Sequence, residues 1–485
     1  MKSVQRGDTP SKLSISQQDN YAANFGEVLR SSAMFWAKNN SQVKTTISVT
    51  NYWKYKNAIE VNVLINLRDI NGRLVQRTKV LFDASEVFNY ELPGTFEGSV
   101  EVEAFGVKNL RIPYAAVMAI YECSDSISMV HSYSRAYSQH EIEDKRTICI
   151  GEESCWTLFE TAAVTSFCVF HNGSGHVDQQ RVRLGVRRAD GKERVVEFQL
   201  SDLAPFQAVM IEPRNYFPEI ASWLGGLPGN GRLSFRLEGG FTRFLCGRRA
   251  VDWSQLQVTH SNFDYSIHET DKIRDGTPIA YMLTPTVQDL ELKQEIVVYP
   301  DSNLGQYAMK GEDFELRFKT SQIVNKQFDS NSGARVKFSC ENGALPSRIV
   351  TGFRLKRSAT TIPAECSFGV ANHRRPAKHF SWMVVSHRFH STVCWVDYEE
   401  IYGGCPADAK LVFKFYSPDA KDPVSREALF SELPAVGTMT LEEMFNQHRQ
   451  WPDAYGYITI WCSYGGLGFF STLTKNSSIS IEHCF

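Results

Sequence analysis

The feature that most constrains this chain is a strict two-residue alternation of apolar and polar side chains, interrupted at short intervals by turn residues. From Lys44 onward Ile47 and Val49 fall on one side, and Thr46, Ser48 and Thr50 on the other. Successive side chains of a strand point to opposite faces, so this period makes a strand with one face buried. A helix would need its apolar residues three and four apart. Two pairs of such runs flank glycine turns. Residues 59–67 and 74–82 surround Asp69-Ile70-Asn71-Gly72, and residues 181–186 and 195–200 surround Ala189-Asp190-Gly191. Asn-Gly and Asp-Gly between alternating runs predict tight hairpins in which both central residues take positive φ.

A longer pattern contains these hairpins. Residues 231–268 read as a glycine-led strand, a second strand through Phe244-Leu245-Cys246-Gly247-Arg248-Arg249, a polar break, and an extended segment ending on His260. Comparable stretches end on His131, on His373 after a strand at 368–373, and on His483, at intervals of 129, 113 and 110 residues. That period is far too long for a solenoid repeat and suits one domain per copy. The expected organisation is a lead-in over 1–40, carrying a short helix or a first strand, then units at 41–140, 141–272, 285–378 and 379–485. The third unit is the least regular. Each unit is expected to hold about seven short strands in an antiparallel β-sandwich. The architecture is all-β, in tandem, and immunoglobulin-like in the broad sense, without the Cys–Trp–Cys core of antibody domains. Short helices are expected near 218–224 and from the capping box Thr440-Leu441-Glu442-Glu443, each crossing between sheets ahead of a glycine-led strand.

A length of 485 residues suits several cores, and a net charge of −2 provides no basic field for nucleic acid. No run of about 18 apolar residues predicts a membrane helix, and the first ten residues lack the apolar stretch of a signal peptide. Eleven cysteines without a CxxC pair read as reduced core thiols, which places the chain in the cytoplasm.

The candidate ligand-binding residues are the closing histidines and the polar-aromatic segments after them: His131, Tyr133 and Arg135, then His260, Asn262, Asp264 and Tyr265. Aromatic rings stack on sugar C–H faces while amides and carboxylates take hydroxyls. The competing reading makes each histidine a structural cap where a strand leaves its sheet, since one active site has no use for four copies. His379, His387 and His390, with His171 and His176 at the matching edge of unit 2, could approach a metal only if the backbone turned, so no metal and no cofactor is expected. Gly225–Gly231 lacks the Gly-Lys-Ser/Thr of a phosphate loop. Cys155 with His171, the adjacent acids Glu152-Glu153 and Glu399-Glu400, and the pairs Arg187-Arg188 and Arg248-Arg249 make weak catalytic or anion sites.

The expected function is a non-catalytic array that binds or scaffolds a carbohydrate or protein partner, with no nucleic acid and no membrane span. The alternatives are a hydrolase or metal-dependent enzyme with its site between units 1 and 2, and a structural subunit of a larger assembly.

Overall fold

The computed structural model describes residues 29–484 apart from 84, 107–116, 132–133, 138–147, 150–154, 174, 235–236, 239–243, 262–278, 288–290, 299–305, 320–323, 330–332, 342–344, 346–350, 358–360, 368–378 and 446–453. These residues form tandem antiparallel sandwiches.

Each unit has eight strands in one recurring order. Unit 1 runs Leu29–Asn39, Lys44–Thr50, Asn62–Asp69, Leu74–Val80, Val87–Glu91, Phe96–Gly106, Val117–Glu122 and Ile127–His131. Counted along the chain, strands 4-3-6-1 form one sheet and 5-2-7-8 the other. Units 2, 3 and 4 repeat both orders, with first strands at Cys155–Leu158, Ile279–Thr284 and Phe380–Ser386 and eighth strands at Leu256–His260, Ala364–Ser367 and Ser478–His483. Unit 3, the least regular in sequence, has the same topology as the others. Unit 1 adds Ser134–Tyr137, which pairs outside its first strand.

Two strands bear on the expected unit boundaries. The first strand of unit 1, Leu29–Asn39, lies inside the segment read as a lead-in, and it pairs along its whole length with Phe96–Gly106. Its apolar stretch Ala33–Ala37 is buried and continuous, so it carries no alternation to mark it as a strand. The eighth strand of unit 3 ends at Ser367, ahead of the expected strand at 368–373, which lies with His373 outside the described residues.

The glycine turns form hairpins of a different type from the one expected. The Gly72 amide donates to the Asp69 carbonyl at 2.9 Å, and Asp69 N–H to the Arg73 carbonyl at 3.0 Å. Gly72 has φ of 78° and Gly191 of 85°, whereas Asn71 and Asp190 stay at negative φ. This is a type I turn closed by a left-handed glycine, the three-residue hairpin that ends in a bulge. The Asp69 carboxylate stabilises it by accepting from the Asn71 and Arg73 amides.

The crossing helices lie where expected. Ile220–Leu224 and Leu441–Met444 each join a fifth strand to a sixth strand in the opposite sheet. Thr440 Oγ1 accepts from the Glu443 amide while the Glu443 carboxylate accepts from the Thr440 amide, the reciprocal capping box read from the sequence.

The units share interiors. The core of unit 1 is continuous with Phe167, Val169, Leu245 and Val258 of unit 2 and with Trp382, Val384 and Tyr457 of unit 4, while Ile479, Ile481 and Phe470 of unit 4 pack into the core of unit 3. Cys168 and Phe170 of unit 2, alternating with Phe167 and Val169, face their own unit's core. Strands covered on both faces read as unbroken apolar runs, which is why residues 167–170 and 382–385 lose their alternation. Among the described residues no helix is long and apolar enough to cross a membrane.

Candidate functional site

The eighth strands of the four units meet. That of unit 1 packs against those of units 2 and 4, and that of unit 3 packs against the same two. All four are buried from end to end apart from the half-buried last residue of unit 4's strand. Ile127 and Met129 of unit 1 and Ala364 and Cys366 of unit 3 line their own cores, whereas Leu256 and Val258 of unit 2 join the core of unit 1 and Ile479 and Ile481 of unit 4 join that of unit 3; the residues alternating with them turn a polar face to the neighbouring strands. Ser126-Ile127-Ser128-Met129 in unit 1 and Ser478-Ile479-Ser480-Ile481 in unit 4 spell the same alternation.

The polar face bonds main chain across the seams. Leu256 N–H donates to Ser126 Oγ and Val258 N–H to Ser128 Oγ, both at 2.8 Å. The two serine hydroxyls donate back to the carbonyls of Leu256 and Val258. Met129 N–H donates to Ser480 Oγ at 2.8 Å. Gln257 of unit 2 donates from Nε2 to the carbonyls of Ile127 in unit 1 and Ile479 in unit 4, each at 3.1 Å, tying three units at one amide. Unit 3 is tied by charge: Arg248 Nη2 donates to Glu365 Oε2 at 2.6 Å, and Thr157 Oγ1 to Glu365 Oε1 at 2.9 Å.

At one end of this seam three imidazoles converge. His131 and His260 are 0% and 3% exposed, Glu482 is 4% exposed, and His483 is half-buried. Ring centroids are 4.6 Å apart for His131 and His260, 5.0 Å for His131 and His483, and 6.0 Å for His260 and His483. His131 Nδ1 stands 2.9 Å from Glu482 Oε1, and His260 Nδ1 stands 2.9 Å from the Ser261 carbonyl. Cys366 of unit 3 borders the group. Its thiol is pushed up first by burial and then by the Glu482 charge, and it hydrogen-bonds to the main chain of His483.

Of the seven residues proposed from sequence as ligand-binding, the structure brings two together, His131 and His260. Both are buried side by side, so a sugar ring cannot stack on them. Arg135 lies on the added strand Ser134–Tyr137, and Tyr133, Asn262, Asp264 and Tyr265 lie outside the described residues. Glu482, the partner of His131, and the seam residues Gln257, Ser126, Ser128 and Ser480 were missed. The repeated Ser-Ile-Ser alternation inside otherwise buried strands was the signal that could have found them.

The other candidates disperse. His379 Nδ1 meets the Cys462 carbonyl at 3.0 Å, the His387 ring lies edge-on to Phe415, and His390 sits near Thr392. His171 is buried and its basicity is pushed down to about 3 by burial, against a weaker opposing hydrogen bond that the ring donates to the Phe35 main chain. His176 is exposed beside Asp178 and Asp202. Gly225 caps the helix Ile220–Leu224 in the left-handed conformation and begins a loop. Glu152, Glu153 and the Cys155 side chain are outside the described residues. Glu400 pairs with Arg335, Arg249 with Glu212, Arg187 with Glu193 and Arg188 with Asp190. These carboxylates occupy the charges that an anion would need.

Compared with known protein families and with curated proteins, the chain matches none. What the fold defines is a class: a tandem array of all-β sandwiches fused through their closing strands.

Proposed function

We propose that this protein is a non-catalytic scaffold, a rigid four-sandwich body that holds protein partners, copies of itself included, on its outer faces and strand edges. The observation that carries the reading is the shared seam, in which Gln257 bonds units 1 and 4 at once. Hydrogen bonds buried between units fix them as one body, since breaking any of them strands a polar group away from water. A hinge-closing enzyme needs the opposite, a weak interface and an open cleft. Between units 1 and 2 the contact is filled by Ser126, Ser128 and the main chain they bond. The outer face has apolar side chains to offer a partner: Ile70, Leu74, Val75 and Leu81 on the outer hairpin of unit 1 and Trp461 of unit 4 are exposed.

The test is light scattering across a wide concentration range, with chemical cross-linking in a lysate. Self-association or a recurring cross-linked protein through the unit 1 hairpin supports the reading. A concentration-independent monomer that binds a glycan array would replace it with the carbohydrate version. Turnover of a small substrate would replace it with an enzyme.

A further inference from the structure

We propose that His131, His260 and His483, with Glu482 orienting His131 from behind, form a binding site for one divalent transition-metal ion, Zn²⁺ being the best match, which clamps the closing strands of units 1, 2 and 4.

Three observations carry this. The first is convergence. One ligand atom from each of the four side chains lies within 4.8 Å of the others. Four-coordinate zinc with bonds near 2.0–2.1 Å places its ligand atoms about 3.3 Å apart, so the three imidazoles draw closer on binding and a water takes the fourth position.

The second is the state of the imidazoles. A carbonyl and a carboxylate only accept, so His260 Nδ1, at 2.9 Å from the Ser261 carbonyl, and His131 Nδ1, at 2.9 Å from Glu482 Oε1, carry the ring protons. That leaves Nε2 of each ring as the nitrogen with the lone pair, the form that ligates. An imidazole oriented by a carboxylate or a main-chain carbonyl on its far nitrogen is the usual support of a zinc-bound histidine. His483 Nε2 lies 3.6 Å from the same Glu482 oxygen, beyond hydrogen-bond range, so the carboxylate orients His131 and brings the single negative charge to the group.

The third is placement. The four residues come from three units, from strands already locked by main-chain bonds, so the geometry is held before an ion arrives. The half-buried His483 ring is the side from which the ion enters. Nitrogen and oxygen donors without a thiolate suit zinc over softer ions.

This inference stands apart from the scaffold reading, since an enzyme or a carbohydrate binder could hold the same ion. The experiment uses the full chain, stripped with a chelator and reloaded with Zn²⁺ or Co²⁺ alone. Native mass spectrometry is expected to count one ion per chain, and Co²⁺ to give the intense visible bands of a four-coordinate nitrogen–oxygen site. His483→Gln is expected to weaken binding at least about tenfold, and Glu482→Gln by about 10–100-fold, as loss of an orienting partner does elsewhere. His176→Ala, in the exposed cluster with Asp178 and Asp202, should leave the count unchanged. Zinc should raise the unfolding midpoint of the parent chain and not that of His483→Gln, whose half-buried position lets the variant fold even if His260→Ala does not. Absence of a bound equivalent at micromolar free zinc overturns the proposal, as does equal binding by the parent and His483→Gln.

Discussion

His131 and Glu482 meet through a 2.9 Å contact although 351 residues separate them in the chain. The closing strand of the first unit and that of the last are thereby joined, and the strand of the second unit lies against the first through Ser126 and Ser128. Sequence repetition alone would be satisfied by four sandwiches on a string. The polar faces of these strands make them one body instead. Ser, Gln, Glu and His are unusual in fully buried strands, and here Ser126, Ser128, Ser480, Gln257, Glu365 and His131 each take a partner from another unit, which is the condition for burying them without a large penalty.

Gln257 is the strictest test of that seam. Its Nε2 serves the Ile127 and Ile479 carbonyls and Ser478 Oγ. Gln257→Leu is of similar size and removes the donor, leaving buried carbonyls unsatisfied at a cost of about 1–3 kcal/mol each. The denaturant midpoint is expected to fall clearly, with the transition losing cooperativity as units 1 and 4 part. Circular dichroism across a urea series measures it; an unchanged midpoint would show the seam to be energetically idle.

The Arg248–Glu365 pair joins unit 2 to unit 3 with side chains only 3% and 6% exposed. Removing one partner strands the other charge, so Arg248→Met alone or Glu365→Leu alone should each destabilise by about 3–5 kcal/mol. The double variant removes both charges and should recover most of that loss. A double-mutant cycle by chemical denaturation reads the difference; additive losses would mean that the two charges do not interact.

Much of the fold was legible in the sequence because half-buried strands advertise themselves. The hairpins around Gly72 and Gly191 and the capping box at Thr440 are each specified by local chemistry. What escaped has physical causes. Leu29–Asn39 is buried at Phe35 and Trp36 alike, so it shows no period of two, and the sequence left it open between a short helix and a first strand. The strand Ala364–Ser367 is short, and its Glu365 reads as a surface residue until Arg248 is found opposite. His131 and His260 were legible as equivalent positions. That they converge with His483 and Glu482 was not, because convergence depends on how units pack, and nothing in residue spacing carries that.

Gly72 separates turn strain from docking. It sits at φ 78°, and a Cβ there would meet the Pro205 carbonyl and the Gln207 amide of unit 2, whereas Gly94 at φ 57° faces open space. Gly94→Ala should cost only the left-handed conformation, about 1–2 kcal/mol. Gly72→Ala should cost that plus a main-chain clash of about 1–3 kcal/mol, and should loosen unit 1 from unit 2. Thermal melts of both variants, with limited proteolysis, compare them; equal losses would mean that the contact between the units yields freely.

His171 makes stability depend on pH in a calculable direction. Burial pushes its folded basicity from the ordinary 6.5 down to about 3, so between those values the unfolded chain binds a proton that the folded chain refuses. Stability therefore rises with pH across that window, at up to about 1.4 kcal/mol per pH unit from this group, and is fully present above pH 6.5. Acidification draws the equilibrium toward the unfolded state, and the loss stops growing once the folded ring also protonates near pH 3. His171→Leu removes the titrating group while keeping an apolar side chain of comparable bulk, so its stability should fall less steeply than the parent's between pH 6 and pH 4. Urea midpoints at half-unit pH steps give both slopes, and carboxylates common to the two chains cancel in the difference. Parallel slopes would mean that the ring is protonated in the folded protein, or reaches water by a route that its full burial does not allow.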